Sequence, residues 1–329
     1  MQKRFTLKTI ASCAVAIAAV GFLGAAQAQT KLKWAHVYET NETYHKQALW
    51  AAGEIAKRTG NRYQIEVFPA STLGKETDIN QGLNLGTVDI IYTGMAFAAR
   101  VYPPISIASA PFMFRDHAHW QAFRNGPVFK DLSKAYADKT GGQHIAGYTY
   151  YGLRHMTSNK VITKPDDMKG LKLRVPDAPL FTMFPKAVGA NPTPIAFAEV
   201  YLALQNGTVD AQENPLPTID AKKFYEVQKV ITLTGHITES LVTIVAGGVW
   251  SKLGDADKKV FDEVLWEASS RASKDIEDAE ASLVDEFRKR GKTVNTVDRA
   301  PFAAAVKGPL TAADAPWPKE LFDRVQSIK

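Results

Sequence analysis

Strands and helices alternate along this chain as in an α/β protein, and the pattern falls into two similar halves. The expected architecture is therefore two lobes, each a sheet wrapped in helices, facing one cleft. Three observations carry that expectation. Short β-rich runs alternate with helical patterns, the phrase Gly-Thr-Val-Asp occurs at 86–89 and again at 207–210 in similar surroundings, and one helical pattern near the C-terminus is longer than either lobe needs.

Taken in order, KLKWAHV (31–37) and YQIEVFP (63–69) read as strands around the helical YHKQALWAAGEIAKRTG, which Gly60 caps. In KETDINQGLNLGTVDIIYTG, Ile79, Leu83 and Leu85 recur about a turn apart, Gly86 ends the helix and a strand begins near Val88. FAEVYLALQNGTVDAQEN repeats the plan, with Val200, Leu202 and Leu204 on a helix, Gly207 at its end and a short strand from Val209. A chance recurrence of a good left-handed cap would explain the four letters alone, but not the matching context on both sides. From about Asp255 to Gly291, Phe261, Val264, Leu265, Ala268, Ala272, Ile276, Leu283 and Phe287 recur at helical steps opposite a charged face. At about 1.5 Å per residue this helix would span roughly 50 Å, and its alanines and irregular steps break any coiled-coil heptad.

The first 28 residues read as a cleaved secretory signal: Lys3, Arg4 and Lys8, then an Ala-rich apolar run, then Ala26-Gln27-Ala28 before an expected mature start at Gln29. A membrane anchor is disfavoured by the shortness of the run. Cys13 follows Ile10-Ala11-Ser12 as in a lipidation box, but cutting there would strand most of the apolar run in the mature protein. Losing the signal removes the single cysteine, which excludes disulfides, thiol catalysis and Cys-ligated metal and suits an oxidising periplasm. It also removes three positive charges, taking the formal net charge from +6 to +3. No dense basic stretch interleaved with aromatics points to nucleic acid. A mature chain of this length favours two domains, here 29–151 plus 240–279 and 152–239 plus 280–329.

Polar chemistry concentrates between the two copies of the phrase. Arg154 and Arg174 lie twenty residues apart, and Arg174 stands near the end of an alternating strand, Leu171 to Val175, stopped by Pro176. An arginine at a strand's carboxyl end points into the crevice where α/β proteins hold ligands, and its fork takes a carboxylate by two hydrogen bonds. A solvated surface arginine is the alternative. His117-Ala118-His119 lacks a third metal ligand at a useful spacing and is expected in a wet loop. Asp166-Asp167 and Asp255-Ala256-Asp257 read as caps and first-turn acids. No phosphate loop, nucleophile elbow or His-Glu-x-x-His occurs, and no metal or cofactor is expected.

Three stretches together, ITKPDDMKGLKLRVPDAPLF, VGANPTPIAFAEVYLALQNGTVDAQENPL and KKFYEVQKVITLTGHI, resemble the solute-binding proteins of tripartite ATP-independent periplasmic (TRAP) transporters. The resemblance covers essentially the whole mature chain. It implies a two-lobed periplasmic binding-protein clamp with a long hinge-spanning helix, which closes on a small organic acid and delivers it to membrane permease subunits as a monomer. By the same resemblance Arg174 is the principal carboxylate-binding arginine, Arg154 a second ligand-contacting arginine, Asn214 a carboxylate partner and Phe197 an aromatic packing on ligand. His36 and Glu76 fall where first-lobe contacts are made. Sialate binders of the family carry an acid and an arginine where this chain has Gly94 and Phe97, which argues against sialate. Tyr38, Tyr92, Phe97, Tyr150 and Tyr151 would make the far end of the pocket aromatic, with about half of them expected in the core instead.

Two other classes stay open on sequence. A ligand-sensing subunit of a signalling complex would use the same capture and closure. A secreted hydrolase or lyase would need an acid, base or nucleophile, and Glu76, Glu213 and His155 have no partner at a telling spacing.

Overall fold

The computed structural model describes residues 29–329, so the signal peptide and the Cys13 box lie outside the described residues. Among the described residues nine strands form one mixed sheet: β1 (Thr30–Ala35), β2 (Tyr63–Phe68), β3 (Ile90–Gly94), β4 (His144–Ser158), β5 (Lys172–Val175), β6 (Asn191–Pro194), β7 (Ala211–Pro215), β8 (Val230–Val245) and β9 (Thr293–Thr296). The first path is β1, a helix over Thr43–Arg58, and β2 parallel to β1. Thr59 closes that helix and Gly60 follows at φ 60°, the left-handed position the sequence marks.

The two lobes' sheets run into one another through β4 and β8, which pair antiparallel along nearly their whole lengths. One end of β8 also pairs with β3, Ile90 facing Val245. The other end takes β9, while the far half of β4 takes β7, which leads on to β5 and β6. Both long strands break in the middle. β4 bulges at Gly152, whose φ of 118° suits glycine, and the ladder slips again between Arg154 and Met156, opposite Gly235 at φ 49°. Such bulges turn a strand and re-aim its side chains.

Both copies of the repeated phrase do the same work. Gly86 caps the helix Glu76–Leu85 at φ 73° and Gly207 follows the helix Val200–Gln205 at φ 70°, and each leads to a strand, β3 and β7. The aspartates echo as well: Asp89 accepts from Lys33 N and Asp210 from Lys172 N, stitching each turn to the neighbouring strand.

The long helix runs over Asp255–Lys289, 35 residues. It supplies Phe261, Val264 and Leu265 to the larger apolar core, and Leu283 and Phe287 to a second core with Val200, Ile219 and Phe224. One helix thus ties the two cores together. Glu280 on it accepts hydrogen bonds from Leu153 N at 2.7 Å and Tyr150 Oη at 2.9 Å, anchoring the helix to the bulge of β4.

The histidine pair is not in a wet loop. Asp116 caps a helix over His117–Asn125 by accepting from His119 N, and the buried His119 ring donates from Nε2 to Val325 O at 2.9 Å. The docking C-terminal segment covers the ring.

Gly147 on β4 packs so closely under the long helix that an added Cβ would sit 2.2 Å from Ser269 Oγ and 3.2 Å from Leu265 O. Overpacking of this kind costs about 1–3 kcal/mol. Gly147→Ala should therefore lower the urea midpoint by that equivalent, whereas Gly207→Ala, with open space around it, should cost only the left-handed backbone penalty of about 1 kcal/mol.

Candidate functional site

A small cavity of about 30 Å³ lies where β4, β5, β7 and β8 meet the first lobe. Eight of the nine candidate residues line it: Tyr38, Glu76, Phe97, Tyr151, Arg154, Arg174, Phe197 and Asn214. His36 does not. It is buried behind the wall, its Nε2 3.2 Å from His45 Nδ1, and burial together with His45 lowers its pKa to about 3, so it stays neutral. Of the five rings weighed for the pocket, Tyr38, Phe97 and Tyr151 line it. Tyr92 packs on Trp34, and Tyr150 bonds Glu280 and stacks near His117 and Trp120.

The two arginines are held differently. Arg154, 2% exposed, donates to both carboxylate oxygens and the backbone oxygen of Glu213, and to Asn214 Oδ1 at 3.3 Å. Burial alone would lower its pKa, but Glu213 and then Glu239 outweigh that and hold it above its ordinary value. Glu213 in turn sits below the usual carboxylate range: burial is overcome by Arg154 and His236. Arg174, also 2% exposed, donates from Nε and Nη2 to Ile195 O at 2.9 and 2.6 Å. Its Nη1 is buried with no hydrogen-bond partner, and it forms no ion pair among the described residues. Burial lowers its pKa to about 10, and the Arg154 charge nearby adds to the effect.

β5 explains why Arg174 reaches the site. Leu173 and Val175 are buried against the sheet while Lys172 points to solvent, and the strand ends at Pro176 beneath the cavity. Asn214 is oriented by a relay: its Nδ2 donates to Gln212 Oε1 at 2.6 Å, and Gln212 Nε2 donates to Thr157 Oγ1 at 3.0 Å. Its Oδ1 thereby faces Arg154. Glu76, at the start of its helix, accepts from Gly94 N at 2.9 Å and Thr93 Oγ1 at 3.0 Å, and burial raises its pKa despite those bonds.

Across the cleft mouth the two sides touch. Lys222 pairs with Glu39 at 2.6 Å, Thr218 donates to Glu42 at 3.0 Å, and Arg100 donates to Asp177 O at 2.7 Å. The arrangement leaves one nitrogen of Arg174 unpartnered at a cavity walled by the rings of Tyr38, Phe97, Tyr151 and Phe197. A proton-transfer pair for hydrolysis does not arise from Glu213, which is spent on Arg154, nor from His155, whose Nδ1 accepts from Gly235 N at 2.9 Å.

The profile described as bacterial extracellular solute-binding protein, family 7, DctP, matches residues 34–313. The chain belongs to that DctP family. Its members here are solute-binding proteins rather than enzymes, and they include TRAP periplasmic proteins. A crystal structure of a TRAP periplasmic solute-binding protein from a Polaromonas species, bound to D-erythronate, superposes at TM-score 0.87 with 35% identity, covering 92% of this chain and 99% of that one. One from Roseobacter denitrificans with bound L-galactonate reaches 0.85 at 31% identity, covering 91% and 98%. The sialic acid-binding periplasmic protein SiaP of Vibrio cholerae is 31% identical over 92% of this chain and 94% of its own length. These two-lobed DctP proteins match the fold described above.

Several lining residues escape the sequence motifs. Val37, Pro176 and Leu241 carry no signal, but Glu239 does: it is an acid inside the β-rich run HITESLVTIV, where burial demands a partner or a purpose. The ion pair of Arg154 with Glu213 is missed because spacing along the chain does not reveal it.

Two outcomes follow for this charge cluster. Glu213→Ala leaves the Arg154 guanidinium buried without its carboxylate, so urea unfolding should show a loss of about 3–5 kcal/mol. Burial raises the Glu239 pKa to about 7 from 4.5. Its contribution to stability is therefore complete below pH 4.5 and lost as pH rises through 7. His36, lowered from 6.5 to about 3, acts oppositely, contributing above 6.5 and losing that as pH falls. Unfolding of Glu239→Gln beside wild type isolates the first effect, and the variant's relative stability should improve as pH rises from 4.5 to 7.

Proposed function

We propose that the protein captures a small hydroxy or sugar acid in the periplasm by closing its lobes, and passes it to the membrane subunits of a TRAP transporter. The observation that carries this reading is Arg174: a buried guanidinium with a free Nη1, in a cavity it shares with Arg154 and Asn214, and with no carboxylate of its own. An unpaired buried cation is costly, and a ligand carboxylate on Nη1 would relieve that cost in a way solvent cannot. Arg154, neutralised by Glu213, would add a directed donor rather than a second free charge.

The bodies that move are 29–151 plus 240–279 and 152–239 plus 280–329, hinged where β4 and β8 break and where the long helix crosses. Ligand binding shifts an open and closed equilibrium towards closed, and the cross-cleft contacts of Lys222, Thr218 and Arg100 favour that state. Gly94 and Phe97 at the cavity wall, without an acid or arginine there, support exclusion of sialate even though a sialic acid-binding relative is as similar as the others. The protein works as a monomer exported through a cleaved signal peptide.

A thermal-shift screen of residues 29–329 against D-erythronate, L-galactonate, a C4-dicarboxylate and sialate tests the reading, repeated with Arg174→Ala. One compact acid class should stabilise the wild type by several degrees. The substitution should weaken that ligand by roughly thirty- to several-thousand-fold while the apo fold persists. Near-native affinity in Arg174→Ala would refute the assignment.

A further inference from the structure

Glu239 is a carboxylate with only one of its two oxygens hydrogen-bonded within the fold. It lies on β8 in a run otherwise built for burial, 1% exposed, yet it lines the cavity. Oε1 is fixed, accepting from Ser109 Oγ at 2.5 Å and from Ser240 N at 3.0 Å. Oε2 is buried with no hydrogen-bond partner. Its nearest cation, Arg154 Nη1, is 3.9 Å away, too far for a hydrogen bond, and Arg154 is already matched by Glu213. A second carboxylate beside a satisfied arginine adds desolvation cost without a pair.

The 3.9 Å separation is one that a single oxygen set beside the line between the two atoms can bridge. An oxygen about 2.8 Å from each of two groups 3.9 Å apart makes hydrogen bonds to both at an angle of roughly 90°. Such an oxygen must accept from Arg154 Nη1 and donate to Glu239 Oε2. A hydroxyl does both; a carboxylate oxygen can only accept and would face Glu239 with like charge.

We infer that Glu239 is a specificity-determining residue, which accepts a hydrogen bond from a ligand hydroxyl bridging it to Arg154 and turns away ligands bearing a second carboxylate. The inference rests on the reading that the ligand's first carboxylate sits on Arg174. It selects hydroxy monoacids over simple fatty acids and over dicarboxylates. Burial raises the Glu239 pKa to about 7, so it is the ionised form, above that pH, that turns a second carboxylate away, and the titrations are run well above pH 7.

Calorimetric titration of the mature chain with D-erythronate, its 2-deoxy and 3-deoxy counterparts and tartrate tests it, in wild type, Glu239→Leu, Glu239→Gln and Arg174→Ala. In wild type, one deoxy acid should bind at least about tenfold more weakly than erythronate, because a buried acceptor is left unpaired. Leu should reduce that ratio to within about threefold. Gln, which keeps an acceptor but not the charge, should retain the preference while tartrate gains at least about tenfold. If the acids bind and depend on Arg174 but both ratios are unchanged by Leu and Gln, the role of Glu239 is overturned and capture at Arg174 stands. If no acid binds, or Arg174→Ala binds as well as wild type, the underlying reading and this inference fail together.

Discussion

Two guanidinium groups share one small buried space, and among the described residues only one of them has a carboxylate partner. That imbalance organises the rest of the site. Arg154 is closed off by Glu213 and becomes a rigid, oriented donor, whereas Arg174 is tethered through the Ile195 carbonyl and keeps one nitrogen free. Had Arg174 found its own carboxylate, an acidic ligand would have had to compete with it. Had Arg154 not, two repelling cations would have faced each other in a desolvated pocket, which folding alone could not tolerate.

The scaffold places these groups beside an interrupted ladder. The bulges at Gly152 and opposite Gly235 interrupt the two strands that join the halves of the sheet, and they lie beside Arg154. A continuous ladder there would stiffen the joint and point the side chains elsewhere. The long helix compensates, packing into both cores and holding the β4 bulge through Glu280.

The frame is legible from local signals along the chain. Gly86 and Gly207 mark left-handed turns because φ near 70° is open to glycine at little cost, and that chemistry is written in a single letter. Arg174 was legible because a short alternating strand stopped by proline sets which way its side chain points. The Arg154–Glu213 pair was not, since it depends on β7 lying antiparallel to β4 with Asn214 opposite His155, a register no local pattern encodes. The one-sheet continuity through β4 and β8 and the burial of His119 under the C-terminal segment are likewise decided by distant packing. Glu239 stood in plain view as an acid in a buried strand, but its meaning needed the position of Arg154.

The free charge of Arg174 is most directly tested by pairing a ligand change with a residue change. Wild type and Arg174→Gln would each be titrated calorimetrically with D-erythronate and with its uncharged primary amide. With Arg174 as the carboxylate anchor, wild type should prefer the acid over the amide by more than about 100-fold, and Arg174→Gln by less than about tenfold. An equal preference in the two proteins would contradict it and place the recognition of the acid's charge elsewhere in the cavity.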